Sequence, residues 1–435
     1  MSGLEGKTIE TSTGRKCKVE KSLGSGTQGE VYRARIENET FALKWYLENQ
    51  ATQEQRKRLE ELVKRGAPSD KFLWPLEIID DPGGKTFGYL MGLREPRFKG
   101  IVDMMKRRAE PTFTALCTAG YEMANSYLLL HSKGLSYCDI SFGNIFFDPH
   151  TGEVRICDND NVTVSGASDV GVLGTPRFMA PEIVRGEATP STDTDLFSLS
   201  VLLFYMFMIH HPLEGRKEYD IHCMDKPAMD KLYGFEPVFI YDPADPSNRP
   251  VKGVHDNAIT YWPIYPQHIR DLFTRSFTDG LRDPQNGRVR ESEWRKAFVQ
   301  ARDSIIYCRC GRENFYDSQK LQSGQPHTCW RCGPKSAIQL PPRMRIEPGM
   351  IVMLNYNTKL YPHHFGETHH FEKPIGEVTQ HPQDPNIWGI KNLTTDIWSY
   401  AGPDGTTGEV EAGRSVTINV GVKLHINGKE GEITV

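Results

Sequence analysis

Two groups of residues carry side chains suited to chemistry, and they lie in different parts of the chain. In LSYCDISFGNIFF (135–147), Asp139 and Asn144 place a carboxylate and an amide in a run that is otherwise apolar or small. Polar groups in such company need partners or a task. Upstream, KSLGSGTQGEVYRARIENETFALKWY spaces Gly24, Gly26 and Gly29 as G-x-G-x-x-G, and a strand-like alternation follows through Val31 and Ala42 to Lys44. A dinucleotide fold would start a helix at the third glycine. Here a β-hairpin is predicted, with a tip where backbone N–H groups can approach phosphate oxygens without a Cβ in the way. Lys44 falls in a strand that should be mostly buried, so its ammonium needs an anion. QEQRKRLEELVKR reads as an amphipathic helix with Leu59, Leu62 and Val63 on its apolar side. Glu60 or Glu61 is then placed to reach Lys44, and the spacing to FLWPLEI favours Glu61. The plainer alternatives are an ordinary hairpin turn and a solvated helix face.

The second group is cysteine. Cys308-x-Cys310-Gly and Cys329-x-x-Cys332-Gly flank residues 311–328. Two knuckles closing on glycine let four thiolates converge tetrahedrally on zinc. With every ligand position filled by protein, the ion would be structural and the small module would depend on it. His327 is an alternate ligand or, more simply, a surface histidine.

These residues need a scaffold, and the bulk sequence limits what it can be. The 435 residues suggest two to four domains. With 38% hydrophobic and 25% charged residues, the chain is globular rather than disordered. A net charge of −4 argues against nucleic-acid binding driven by global charge. Basic residues outnumber acidic ones across 306–345, which is read as a solvated linker module in preference to a nucleic-acid patch. No signal peptide is evident at the start, and DLFSLSVLLFYMFMI (195–209) is too short for a membrane span and is expected to be a buried core helix. The other cysteines, Cys17, Cys117, Cys138, Cys157 and Cys223, are scattered, which suits a reducing cytosol. Residues 218–253 read as an insertion on the helical part, with aromatics as satellite core. The final stretch alternates and turns like an all-β unit. In it, IEPGMIVMLNYNTKL (346–360) aligns without gaps to VEAGRSVTINVGVKL (410–424), which suggests a sandwich closed by related strands.

The order of elements is glycine-rich hairpin, Lys44, helix glutamate, HSKGLSYCDISFGN, VRICDND, GTPRFMAPE and STDTDLFSLSVLLF. This order resembles the eukaryotic-like, bacterial-type Ser/Thr protein kinases over roughly residues 20–300. The resemblance implies an α+β, bilobal fold with a β-rich N-lobe and a helical C-lobe, and phosphoryl transfer from ATP with magnesium to protein hydroxyls. Asp139 would take or orient the substrate proton, and Asn144 and Asp158 would hold magnesium. Lys44 would hold the phosphates and Glu61 would hold Lys44. Phe146 would floor the adenine pocket, Met91 would gate it, and Gly92, Leu93 and Arg94 would form the hinge. Glu182 would pair with Arg288, and Asp195 would hold the catalytic-loop backbone. Thr175 beside Asp139 favours a Ser/Thr acceptor. Three positions depart from the pattern. Tyr137-Cys138-Asp139 lacks the usual arginine, Ser141 replaces a lysine, and Asp158-Asn159-Asp160 replaces Asp-Phe-Gly. Control by loop phosphorylation is then in doubt, although Thr163, Ser165 and Ser168 are candidate sites. Asp160 would bind or repel the ion.

The expected domains are a kinase at 1–305 (N-lobe about 1–92, C-lobe about 93–305), a zinc ribbon at 306–335, and a β-sandwich at 340–435. The sandwich faintly resembles forkhead-associated domains, with Glu377 where that family places an arginine. The whole resembles kinases of tellurium-resistance gene clusters, which implies a phosphatase and a von Willebrand-type protein as partners beside the protein substrate. The competing reading is a pseudokinase, a nucleotide-binding scaffold acting through its C-terminal modules. The expected location is the cytoplasm.

Overall fold

Two-residue periodicity decides which side chains of the first sheet meet the functional cleft. The computed structural model describes residues 3–167, 172–347, 350–366, 371 and 373–435. Strands β1 (Thr8–Glu10), β2 (Lys16–Ser25), β3 (Gly29–Ile36), β4 (Glu39–Tyr46), β5 (Glu77–Asp80) and β6 (Phe87–Gly92) pair antiparallel in the order β1-β2-β3-β4-β6-β5. On β4, Leu43 and Trp45 join Val19, Tyr32 and Ala34 in one apolar cluster. Ala42 and Tyr46 pack on the other face with Tyr89, Met91 and Leu59. Lys44 shares that second face by the same alternation. Leu59 belongs to helix α1 (Gln53–Arg65), which starts where the Thr52 hydroxyl accepts the Gln55 N–H at 3.1 Å. It stops at Gly66, whose φ of 71° suits glycine.

Between β2 and β3 the Gly26 N–H donates to the Gly29 carbonyl at 2.8 Å and closes the expected hairpin. The strand register shifts twice on the way to this tip, between Val19 and Lys21 and between Ser22 and Gly24. The end of β2 stays paired with β3 up to Ser25 opposite Glu30, and residues 21–27 are exposed.

The helical part is built around Phe113–Ser132 and Thr192–Met208. Every residue from Thr194 to Met208 is buried, so the apolar run at 195–209 is core. Among the described residues no helix is long and apolar enough to cross a membrane. The hairpin Ile145–Phe147 with Val154–Ile156 connects to the N-terminal part, because the Leu73 N–H donates to Ile156 O and the Ile156 N–H to Lys71 O, both at 2.8 Å. Arg288, 4% exposed, reaches both Glu182 oxygens at 2.7 and 2.9 Å. The 218–253 segment is more ordered than its composition suggests. Phe239 and Ile240 are fully buried, and the buried Asn248 amide donates to Leu213 O at 2.9 Å and Val238 O at 2.7 Å. Those two bonds pin a stretch that has little regular structure of its own.

The chain divides into two compact units, Met1–Pro263 with Arg270–Lys296, and Ile264–Ile269 with Ala297–Val435. The cysteine module and the β region, expected as separate domains, share the second unit. Met353 of the β region packs with Ile306, Tyr316, Cys308 and Cys329 in one cluster. The β region has a six-stranded and a four-stranded sheet, and one core draws Met344, Leu424 and Ile433 from the first and Val378, Ile390 and Val416 from the second. The internal repeat is real in three dimensions. Its first copy runs from Met350–Met353 in the larger sheet to Lys359–Leu360 in the smaller, and its second from Ser415–Thr417 in the smaller to Lys423–Ile426 in the larger. In both turns the asparagine carbonyl, Asn355 or Asn419, accepts an N–H three residues on at 3.1 Å. Both then pass through a left-handed residue, Asn357 (φ 61°) or Gly421 (φ 86°). The two copies are strand-crossings between the same two sheets, run in opposite directions.

Two consequences are measurable. A Cβ on Gly29 would lie 2.2 Å from the Trp45 carbonyl oxygen, whereas one on Gly24 or Gly26 meets nothing within 4 Å. Gly29→Ala is expected to cost about 2 kcal/mol or more in denaturant unfolding, and Gly24→Ala and Gly26→Ala about 0.5 kcal/mol or less. The second concerns His131, which bonds Asp195 at 3.1 Å and also Glu291. Burial alone would lower its pKa, but the two carboxylates outweigh burial and push it up to about 9. The charged pair therefore contributes fully below the unfolded pKa of about 6.5 and is lost as pH rises through about 9. The stability of the first unit against unfolding should fall by about 3 kcal/mol as pH rises across that window. His131→Gln should flatten the profile in thermal melts recorded from pH 6 to 9.5.

Candidate functional site

A cleft of about 380 Å³ runs between the N-terminal sheet and the helical part. Its apolar walls are Val31 and Ala42 from the sheet, Met91 and Leu93 from the end of β6, Phe146 from below, and Leu73. Gly24, Gly26 and Gly29 roof one end, where Lys44 and Asp158 also line it. Nothing in the fold requires glycine at 24 or 26, since neither would meet a neighbour through a Cβ and neither has a left-handed φ. Phe146 rests on the Arg94 guanidinium, 3.9 Å from the ring centre, and Arg94 donates to Phe98 O at 2.9 Å. That cation stiffens the lower wall.

The polar end is assembled from three segments. The Asn144 side-chain nitrogen donates to Asp139 O at 2.7 Å and to Asp139 Oδ2 at 3.1 Å. The Thr175 hydroxyl donates to Asp139 Oδ1 at 2.6 Å. The backbone before Asp139 is clamped from below, with Asp195 accepting the Tyr137 N–H at 2.5 Å and the Cys138 N–H at 3.1 Å. Cys138, at φ 71°, turns the chain there, and its side chain is buried. No arginine occupies that position.

Lys44 is 5% exposed. Its ammonium donates to Asp160 Oδ2 at 2.8 Å and Oδ1 at 3.0 Å, to Gln28 Oε1 at 3.0 Å, and to Asp158 Oδ1 at 3.4 Å. Asp160 is fully buried and also accepts the Tyr46 hydroxyl. Gln55 of α1 donates to the Tyr46 hydroxyl at 2.9 Å and to the Asp160 carbonyl at 3.3 Å. Burial opposes the charge on Lys44, but Asp160 and Asp158 overcome it and raise the pKa. Burial also works against the Asp160 carboxylate, yet Lys44 and the hydrogen bonds hold its pKa below normal. At Asp158 burial dominates, with Asp160 adding to it, and the pKa rises despite Lys44.

The structure does not bring Glu61 to Lys44. Leu59 and Leu62 are the buried residues of α1, which turns Glu61 outward into solvent, and Glu60 pairs with Arg56 at 3.0 Å. The lysine's nearest anion is Asp160 instead. The sequence leaves Asp160 open as a group that binds or repels the ion, and gives no sign of Gln28, Tyr46 and Gln55 around the lysine. The only local signal was the second aspartate of VRICDND. Of the candidate phosphorylation sites, Ser165 accepts the Thr192 N–H at 3.0 Å, Thr163 pairs with Ser136, and Ser168 lies outside the described residues.

In the second unit the sulfurs of Cys308, Cys310, Cys329 and Cys332 lie within 4.8 Å of one another. Cys310 and Cys329 are 3.8 Å apart, and Asn314 Nδ2 is 3.8 Å from the Cys329 sulfur. His327 is neither in this group nor on the surface. It is buried against the Tyr316 ring and accepts the Asp317 N–H at 2.9 Å.

The protein kinase domain model matches residues 17–260. Similar proteins include the serine/threonine-protein kinase RUNKEL of Arabidopsis thaliana, 31% identical over 22% of this chain and 7% of that protein. A probable CTD kinase subunit alpha homolog of Encephalitozoon cuniculi is 26% identical over 47% of this chain and 62% of its own length. Glycogen synthase kinase 1 of Pyricularia oryzae is 22% identical over 66% and 80%. The chain thus spans less than two thirds of the first two. All three relatives are eukaryotic, and none speaks for the bacterial character read from the sequence. The cleft, its lysine, its clamped Asp139 loop and the match over more than half of the residues together establish that the chain belongs to the protein kinase family.

Proposed function

We propose that this chain is a Ser/Thr protein kinase that moves the γ-phosphate of ATP to a protein hydroxyl. The observation that carries the reading is an apolar cleft of nucleotide size with Lys44 and Asp158 at one end, and the Asp139–Asn144 pair on the loop that bonds the strand leading to Asp158. Glycines at 24 and 26 that packing does not require fit close approach by phosphates. In this reading Val31, Ala42, Met91, Leu93 and Phe146 enclose the base, Lys44 steadies the phosphates, and Asp139 orients the acceptor hydroxyl and takes its proton. Thr175 on Asp139 favours a Ser/Thr acceptor. Asn144 spends its nitrogen on Asp139 and leaves its oxygen for a cation. With Asp158 it offers the hard oxygen donors that suit magnesium. When bound, magnesium neutralises charge on the transferring phosphate. The remaining work is positioning by the chain itself. Purified protein incubated with labelled ATP and magnesium should label itself or a generic Ser/Thr substrate. Asp139→Ala should lower incorporation by about 100-fold or more, and phosphosite mass spectrometry should report Ser or Thr. Equal labelling by the two proteins would leave the nucleotide-binding scaffold as the reading.

The four cysteines support a structural zinc site. A tetrahedron with metal–sulfur bonds of about 2.3 Å has edges of about 3.8 Å, the Cys310–Cys329 separation. An amide N–H beside Cys329 is the kind of second partner that thiolate ligands take. Metal analysis should find about one zinc per chain. Strong chelator, or Cys329→Ser, should release it and melt the second unit with the first unit's transition unmoved. A metal-free preparation with an unchanged melt would exclude zinc from this role. The exposed faces of the second unit are the proposed targeting surface. A forkhead-associated-like role, with a phosphatase and a von Willebrand-type protein as partners, rests on the sequence resemblance.

A further inference from the structure

Protein kinases, as the sequence resemblance implies, hold the cleft lysine with a glutamate of the helix that follows it. Here α1 offers no such group. Glu61 is exposed, Glu60 is on Arg56, and the α1 side chain that points at the lysine's surroundings is the neutral Gln55. A buried ammonium without an anion is costly, so the replacement has to be close and equally buried. Asp160 meets both conditions. It contacts Lys44 through both oxygens at 2.8 and 3.0 Å, is fully buried, and is held in turn by the Tyr46 hydroxyl. It stands two residues after Asp158, in a 3₁₀ turn that the left-handed Asp158 (φ 49°) initiates. Asn159 fixes that turn by donating to Leu73 O at 2.9 Å and Ile156 O at 3.0 Å.

We propose that Asp160 is the positioning residue for Lys44, replacing the helix glutamate, so that the lysine and the metal-ligand aspartate are set by one turn, Asp158–Asp160, with no carboxylate supplied by α1. This rests on the kinase reading above. Asp160 is thereby committed to the lysine and is no ligand of the ion. Without it, Lys44 would keep Asp158, now 3.4 Å away, as its one carboxylate and draw it from the ion. Among the described residues, α1 reaches the surroundings of the Lys44–Asp160 pair through the neutral Gln55 amide and the apolar Leu59, and contributes no charge to it. The missing arginine at position 138 points the same way. The usual levers on this pair, helix rotation and loop phosphorylation, have little to act on here.

The test is a set of variants of the full chain, each measured for kcat and KM in ATP and, separately, for affinity of a fluorescent ATP analogue with and without magnesium. Asp160→Asn should lower kcat/KM by on the order of 100-fold, with weaker analogue binding in magnesium. Glu61→Ala should stay within about twofold. Asp160→Asn with Gln55→Glu returns a carboxylate to the same surroundings from the helix and should recover about tenfold of the loss. In a Lys44→Met background, Asp160→Asn should cost less than about threefold more, because its partner is already gone. If Asp160→Asn fails to fold, the Lys44→Met/Asp160→Asn protein, with both charges removed, should regain the thermal transition. The proposal is overturned if Glu61→Ala is as damaging as Asp160→Asn, or if the Asp160 and Lys44 effects multiply independently. Wild-type protein that binds the analogue yet transfers nothing would defeat the kinase reading instead, and the binding series would still decide the role of Asp160.

Discussion

A single buried ammonium governs the architecture of the cleft. Lys44 sits in the middle of a strand whose neighbours are apolar, and its charge is tolerable there because carboxylates from a distant loop are brought to it. That requirement joins the two parts of the first unit more specifically than apolar burial does. Burial fixes the sheet and the helical core separately, while the ion pair fixes where the Asp158–Asp160 turn must lie relative to β4. Secondary contacts follow from it. Tyr46 turns its hydroxyl to Asp160, Gln55 bridges Tyr46 and the Asp160 backbone, and Gln28 brings the glycine-rich tip to the same lysine.

A second anchor works beneath the first. Asp195, at the start of the most deeply buried helix, accepts two backbone N–H groups of the Tyr137-Cys138 segment and a bond from His131. Those N–H groups belong to a tight left-handed turn and have no strand or helix to satisfy them. The loop carrying Asp139 is therefore held by its backbone, and this hold does not depend on which side chain occupies position 138. A small cysteine can stand there because positioning has been delegated to a carboxylate in the core.

The parts of this arrangement that were legible in sequence share a physical basis. Strand alternation puts Ala42 and Lys44 on one face, two residues apart, and the hairpin that the glycines announce sets Val31 opposite Lys44. Glu182 with Arg288, and Asp195 with its loop, followed from motif order, as did the Asp139–Asn144 pair. Cysteine spacing anticipated the sulfur cluster because knuckle geometry is local. Glu61 was misjudged because a helix's rotation about its own axis is set by packing, here by Leu59 and Leu62, and successive residues lie on very different faces. Asp160 was misjudged because its direction depends on the left-handed conformation of Asp158, which no composition or period reveals. The burial of His327 depends likewise on a tertiary neighbour, the ring of Tyr316.

The charge balance of the cleft argues for a division of labour between the two aspartates. Asp139, Asp158, Asp160 and Lys44 would sum to two negative charges if all were ionised, and of the three carboxylates Asp160 alone is shut off from solvent. Asp160 has matched its charge internally with Lys44 and its hydrogen bonds, which is why its pKa stays low although it is fully buried. Asp158 stands farther from the lysine, at 3.4 Å, and its side chain is 42% exposed where the cleft opens, so it keeps oxygens free for a second cation. A group in that condition gains most from a cation placed against it, while a group already paired gains little. In the proposed reaction the ion therefore belongs with Asp158 and Asn144, and the lysine belongs with Asp160. The same turn of chain supplies one carboxylate to each.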